Sequence, residues 1–157
     1  MFNNENRIFN IASENEFLEL SLSIFNYQAV QNPVYSQWIQ LLKIRPASVT
    51  ALAQIPFMPI EFFKKHEVIS SQIDQNTIKF TSSSTTSQTP STHFVTDISV
   101  YEKSFLTGFE LFYKSPSNYC ILALLPNYLQ RSGSSLVYMC DKLIKASKHV
   151  YSGVFLV

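Results

Sequence analysis

The sequence predicts an α/β fold, and three observations carry that prediction. Tyr119 to Val157 reads strand, helix, strand. The N-terminal segment up to Pro46 reads as two helices. Between these regions, two short alternating segments, Ile78-Lys79-Phe80 and His93-Phe94-Val95, bracket a run of hydroxyl residues. The architecture expected is N-terminal helices, a β-hairpin carrying a Ser/Thr-rich loop, and a βαβ unit with the usual right-handed crossover.

The elements follow in order from local signals. Ser13 and Glu16 have capping-box spacing, which starts a helix at Glu14. Phe17, Leu18, Leu20, Ile24, Tyr27 and Gln28 carry its inward stripe to about Val30. Asn32-Pro33 restarts the chain, because Asn caps and Pro is tolerated in a first turn whose N–H has no partner anyway. Tyr35, Trp38, Ile39, Leu41 and Leu42 make the second helix, ending before Pro46 and pairing with the first. Pro56 and Pro59 then forbid a continuous helix. A short helix is expected over Ile60 to Lys65, with Phe62 and Phe63 inward and Lys64 and Lys65 in solvent.

Beyond the hydroxyl run, Asp97 or Ser99 caps a long helix with an inward aromatic stripe of Tyr101, Phe105, Phe109 and Phe112, together with Ile98. Gly108 within it is expected to mark close packing. Tyr119 to Leu125 is continuously apolar, as in a strand covered on both faces. Pro126 stops it. The next helix carries Leu136, Cys140, Leu143 and Ile144 inward, and Gly153 to Val157 forms the second strand. Because the sequence stops within this apolar strand, the chain is expected to be the N-terminal portion of a larger domain. Residues 1–46 are then a helical lead-in and 47–157 its α/β part. The alternative is a small complete domain whose last strand is a covered edge.

Bulk properties narrow the partners. A 157-residue chain with 46% hydrophobic and 15% charged residues has a globular composition with few charges. A net charge of +1 supplies no field to draw nucleic acid or anionic lipid, so neither is expected as a partner. MFNNENRIFN is no signal peptide, and Tyr119 to Pro126 is too short to span a bilayer, so a cytoplasmic protein without membrane insertion is expected. Cys120 and Cys140 sit in apolar text and read as buried, reduced thiols. His66, His93 and His149 lack ligand spacing with one another or with carboxylates, so no metal site of protein ligands is expected.

The chemistry concentrates in Thr81 to Thr92, TSSSTTSQTPST, where ten of twelve residues carry a hydroxyl and none a charge. Phosphate loops need backbone N–H groups aimed at the anion, hydroxyls as further donors, and glycine where φ is positive. Hydroxyls abound here. The lysine of a Walker loop is absent, which excludes that class.

The order Ser83-Ser84-Thr85-Thr86-Ser87-Gln88-Thr89-Pro90 resembles the phosphate loop of adenylate-forming enzymes, S-G-T-T-G followed by proline within a β-turn-β. Together with IPFMPIEFFKKHEV, the FTSS approach, Tyr101-Glu102-Lys103-Ser104-Phe105 and LALLPNYLQRSGSSLVYM, the chain looks most like the acyl-protein synthetases. These are the long-chain-fatty-acid–luciferin-component ligases, related to phenylacetate-CoA ligases. The resemblance covers most of the chain and matches that family's N-terminal half.

It implies an enzyme that activates a fatty or aryl carboxylate with ATP and Mg²⁺, forms an acyl-adenylate and passes the acyl group to a thiol. A protein acyl acceptor or a reductase is the implied partner. Ser83, Ser84, Thr85, Thr86, Ser87 and Thr89 would hold the nucleotide phosphates. Tyr128 stands where relatives line the acyl pocket, with Leu129 where many carry histidine, and Arg131 with Ser132-Gly133-Ser134 would attract an anion. No catalytic residue is assigned, since the family's acceptor cysteine and its adenine, ribose and lysine elements would lie beyond Val157. Ser84 and Ser87 replace the family's glycines. The alternative implied is a non-catalytic binding domain that keeps the fold with an altered loop.

Overall fold

The computed structural model describes residues 7–82, 89–125 and 133–155. They form a mixed helix-and-strand protein that divides into two compact units. The first holds the described residues up to Thr77 together with Ser91–Thr96; the second holds those of Ile78–Pro90 and of Asp97–Val157. The boundary thus falls after the proline-broken stretch, which packs with the N-terminal helices.

In the first unit, α1 (Glu14–Gln31) is capped by Ser13, whose Oγ accepts the Glu16 N–H at 3.2 Å. The reciprocal Glu16 carboxylate takes the N–H of Ala12 at 2.8 Å, one residue earlier than the standard box. Asn32 both ends α1 and starts α2 (Pro33–Leu41). Its N–H donates to the Gln28 carbonyl at 3.0 Å, and its Oδ1 accepts the Tyr35 N–H at 3.1 Å. Its Nδ2 reaches Gln28 Oε1 at 3.3 Å, so a residue only 4% exposed is fully occupied.

Helix α2 ends before the proline expected to stop it. Lys43 takes the left-handed conformation (φ 57°), its N–H bonding to the Gln40 carbonyl and the Ile44 N–H to that of Ile39. That pair of bonds is the Schellman closure, usually made with glycine.

The polar tips of α2 fix the proline-broken stretch. The Tyr35 hydroxyl donates to the Pro56 carbonyl at 2.6 Å, and the Trp38 indole N–H to that of Phe57 at 3.2 Å. Trp38 also meets Phe62 edge-on at 5.4 Å, where α3 (Phe62–Lys65) begins. Phe63 stacks at 4.5 Å on His93 of β2 (Thr92–Val95). The unit's core is Leu20, Phe25, Ala29, Ile39 and Val49. Phe17, expected on the inward stripe, is half exposed, and the stripe turns through Phe25 and Ala29 instead. Both faces of α1 carry apolar residues, so periodicity alone could not choose between them.

The unit closes on a turn in which Asp74 Oδ1 accepts the Asn76 N–H at 2.9 Å and the Thr77 hydroxyl at 3.0 Å. Those bonds, the Asn76 amide foremost, hold the carboxyl below its ordinary pKa.

In the second unit, β1 (Ile78–Thr81) precedes the hydroxyl run and α4 (Ile98–Tyr113) is capped by Asp97 through the Ser99 N–H at 2.9 Å. β3 (Leu122–Leu124), α5 (Ser135–Ser147) and β4 (Gly153–Phe155) form the expected β-α-β succession. The two strands pair in parallel, with Leu122, Ala123 and Leu124 opposite Gly153, Val154 and Phe155. A hydroxyl pair fastens the end of α5 to the strand starts. Buried Ser147 Oγ lies 2.7 Å from Ser152 Oγ, which accepts the Ile121 N–H at 2.9 Å.

Four expectations for this unit are corrected. β3 is not covered on both faces: Ala123 and Leu125 are buried while Leu122 and Leu124 are 58% and 68% exposed. Phe112 and Leu136 lie largely in solvent, Cys120 is exposed and Cys140 half-buried. An ideal Cβ on Gly108 meets nothing within 4 Å, so that glycine marks no close approach among the described residues. For the strand, Phe112, Leu136 and the cysteines, apolar text was read as covered where these residues keep exposed or half-exposed surface.

No described helix is long and apolar enough to cross a membrane.

Candidate functional site

Of the residues expected to bind ligand, Ser83, Ser84, Thr85, Thr86, Ser87, Tyr128 and Arg131 lie outside the described residues; Thr89 is described and exposed. Both flanks of the hydroxyl run are strands, β1 ending at Thr81 and β2 starting at Thr92. The described residues therefore supply the base from which the two predicted ligand segments depart.

That base is a direct backbone junction. The Thr81 N–H donates to the Gly133 carbonyl at 2.8 Å, so the last residue of β1 is tied to the residue leading into α5. Gly133 has φ +95°, a conformation that side-chain-bearing residues rarely adopt. An ideal Cβ there would lie 3.3 Å from the Lys79 carbonyl oxygen and 3.4 Å from Thr81 Oγ1. Ser134 caps α5, its Oγ accepting the Val137 N–H at 3.4 Å, and the Tyr101 hydroxyl of α4 donates to the Ser135 carbonyl at 3.1 Å. Thus β1, α4 and α5 meet at one point.

Behind the junction, Phe80 is 6% exposed and packs against Tyr101 and Tyr138 at ring distances of 5.5 and 5.7 Å. Tyr138 continues into a small charged cluster. Its hydroxyl donates to Glu102 Oε1, and Lys142 Nζ pairs with the same oxygen at 2.7 Å while lying 5.3 Å from the Tyr138 ring centre.

The hydrogen bond from Lys142, then that from Tyr138, lowers the pKa of Glu102. The same carboxylate raises that of Lys142. Burial first, and then the bond to Glu102, raises the Tyr138 phenol. Each group is thereby held in its resting protonation state, Glu102 ionised, Lys142 charged and Tyr138 neutral. A cluster so satisfied is suited to clamping α4 to α5, and poorly suited to moving protons. Burial likewise raises the pKa of the Cys140 thiol, disfavouring the thiolate a nucleophile needs.

No family model, curated protein or solved structure matches this chain.

Three contributors to the base were not singled out from the sequence. Phe80 was read only as strand text, Tyr138 was absent from the inward stripe of α5, and Gly133 was read only as part of a helix entrance. A signal for Gly133 did exist: the chain has three glycines, and this one directly precedes a capping serine. Among the described residues no three His, Cys, Asp or Glu side chains cluster to hold a metal. A shallow depression of about 590 Å³ in the first unit, lined by residues including Tyr27, Gln31, Glu67 and Ser70, contains none of the predicted site residues.

Proposed function

We propose that the chain is the N-terminal portion of an ATP-dependent acyl-activating ligase of the acyl-protein synthetase type. It would join a fatty or aryl carboxylate to AMP, with release of pyrophosphate, before transfer of the acyl group to a thiol. The observation that carries this reading is the ordered hydroxyl run ending in proline, Ser83 to Pro90, set between strands β1 and β2. Hydroxyls in that number can serve an oxygen-rich anion as donors.

In this reading Ser83, Ser84, Thr85, Thr86, Ser87 and Thr89 hold the phosphates of ATP, with Mg²⁺ carried by the nucleotide. Tyr128 and Arg131 belong to the acyl side. A protein acyl acceptor or a reductase is the partner, and the cytoplasm the compartment.

A second reading, a non-catalytic binding domain, is favoured by one observation: Ser84 and Ser87 stand in the glycine positions of the motif. A left-handed residue bearing Cβ costs roughly 1–2 kcal/mol. Two of them would weaken phosphate binding by about two orders of magnitude.

Hydroxylamine trapping separates the readings. A protein containing this chain and the remaining ligase elements should form hydroxamate from long-chain acids only with ATP. Nucleotide binding without product supports the binding domain, and neither binding nor product refutes both. Replacing Ser84 and Ser87 together by glycine should tighten Mg-ATP binding in calorimetry; equal or weaker binding refutes the idea that these serines impair the loop.

A further inference from the structure

We propose that the depression in the first unit is a binding site for a small organic cation, a primary ammonium carried on a short aliphatic chain. Its volume of about 590 Å³ is within the range of small-molecule sites, and the residues that line it are all described and belong to one unit. The end of α1 supplies Tyr27 and Gln31, and the first residue of α2 supplies Pro33. The rest of the wall is the stretch after α3, from Glu67 to Gln72. That stretch is fastened to α1: the Ser70 hydroxyl donates to Gln28 Oε1 at 2.6 Å, and the same oxygen takes Asn32 Nδ2 at 3.3 Å. Asn32 is buried and its side chain also caps α2, so the corner that holds the wall is set before any ligand arrives.

The polar groups here are of two kinds. Those of the corner are spent on one another, whereas the side chains of Gln31, Glu67, Ser71 and Gln72 make no hydrogen bond or ion pair with a described residue. Unspent, they present one carboxylate, two carboxamides and a hydroxyl, and no lysine, arginine or histidine stands among the described lining residues. Such a set repels an anion and offers it no charged donor. A hard divalent ion wants a full shell of oxygens, several of them from carboxylates. A primary ammonium asks for less. Its three donors need three acceptors, one of them charged, and the Glu67 carboxylate with the amide and hydroxyl oxygens of the same lining supplies them. Tyr27, Pro33 and Ile69 add apolar surface for the carbon chain. This site does not depend on the nucleotide reading above.

Three four-carbon compounds of matched length separate the candidate ligands: putrescine, 1,4-butanediol and succinate. Amide NMR spectra of the intact chain read where each one goes. Putrescine should shift the amides of Gln31, Ser70, Ser71 and Gln72 together along one saturating curve. Glu67→Gln should weaken it about fivefold, the factor that a unit charge pair 4 Å apart is worth in water. Glu67 is exposed, so this substitution leaves the core untouched. Glu110→Gln, at an exposed carboxylate of the second unit, should leave the curve where it was.

Equal binding of 1,4-butanediol, tighter binding of succinate, or a Glu67→Gln chain that holds putrescine as well as the parent each overturns the ammonium assignment. Shifts that never saturate, or that follow every exposed carboxylate alike, overturn the site itself. Should Glu67→Gln not fold, the parent chain decides by salt. Putrescine affinity must fall as NaCl is raised from about 0.01 M to about 1 M, and an affinity that stays constant overturns the proposal.

Discussion

Replacing Gly108 by alanine tests the packing of α4 with a change of sign. Glycine within a helix costs about 0.8–1.0 kcal/mol relative to alanine, largely through the backbone freedom it loses on folding. Gly108 lies inside α4 (Ile98–Tyr113), away from either cap, and its φ is not positive. Among the described residues, the helix's own backbone aside, the ideal Cβ meets no atom within 4 Å, so no steric term offsets the gain. The expected result is stabilisation by about 1 kcal/mol, and in a chain of this length about 2–4 °C in Tm. Urea unfolding followed by helical circular dichroism should show a higher midpoint with an unchanged slope. Had Gly108 marked a close approach, the methyl would overpack the site and cost about 1–3 kcal/mol. A lowered midpoint therefore refutes the reasoning, and would show that another surface fills the space beside Gly108 in solution.

Two further outcomes follow from the caps and the charged cluster. Lys43 closes α2 at φ 57°, so Lys43→Gly should stabilise the chain by about 0.5–1 kcal/mol in thermal denaturation, while Lys43→Ala, which keeps the strained Cβ, should give no such gain. Glu102 has a lowered folded pKa, so its contribution is present above the ordinary carboxylate range and lost as pH falls through the lowered value. Lys142 and Tyr138 have raised values, so theirs is present below their ordinary range and lost as pH rises through the raised values. Glu102→Gln should therefore lower stability near neutral pH and narrow its gap to the parent chain in acid; a gap that stays constant with pH refutes the assigned pairing.

What the sequence made legible was what neighbouring residues decide. Ser13 and Asn32 cap where spacing put them, and Asp97 is the one of the two candidates, Asp97 and Ser99, that caps α4, because a cap needs only a short side chain and an N–H two or three residues on. The parallel β-α-β succession was likewise readable from its period and punctuation. Coverage was not. Leu122 and Leu124 differ from Ala123 by the face of the sheet they occupy, and an uninterrupted apolar run does not say which face has a layer over it. Phe25 and Ala29 were missed for the same reason, since α1 offers apolar residues on several sides. The requirement for glycine at 133 was hidden because the oxygen in the way belongs to Lys79, far earlier in the chain.

The glycines bear on the hydroxyl run as well. The chain has three, where an average usage of about 7% would give roughly eleven. The shortage is general, and the fold lives with it: Lys43, Lys114 and Lys148 all hold positive φ, at φ 57°, 64° and 53°, each just beyond a helix that glycine would ordinarily close. A chain this sparing of glycine has serine at 84 and 87 as well, and what those serines do to the proposed loop is decided by binding, not by composition. At 133 the case is different, because a φ of +95° strains any side chain and an added Cβ would sit tightly against the Lys79 carbonyl oxygen at 3.3 Å, and there the glycine is present. Mg-ATP binding measured with Ser84 and Ser87 replaced by glycine, in a protein that carries the remaining ligase elements, therefore decides whether serine at those positions costs the proposed loop its ligand.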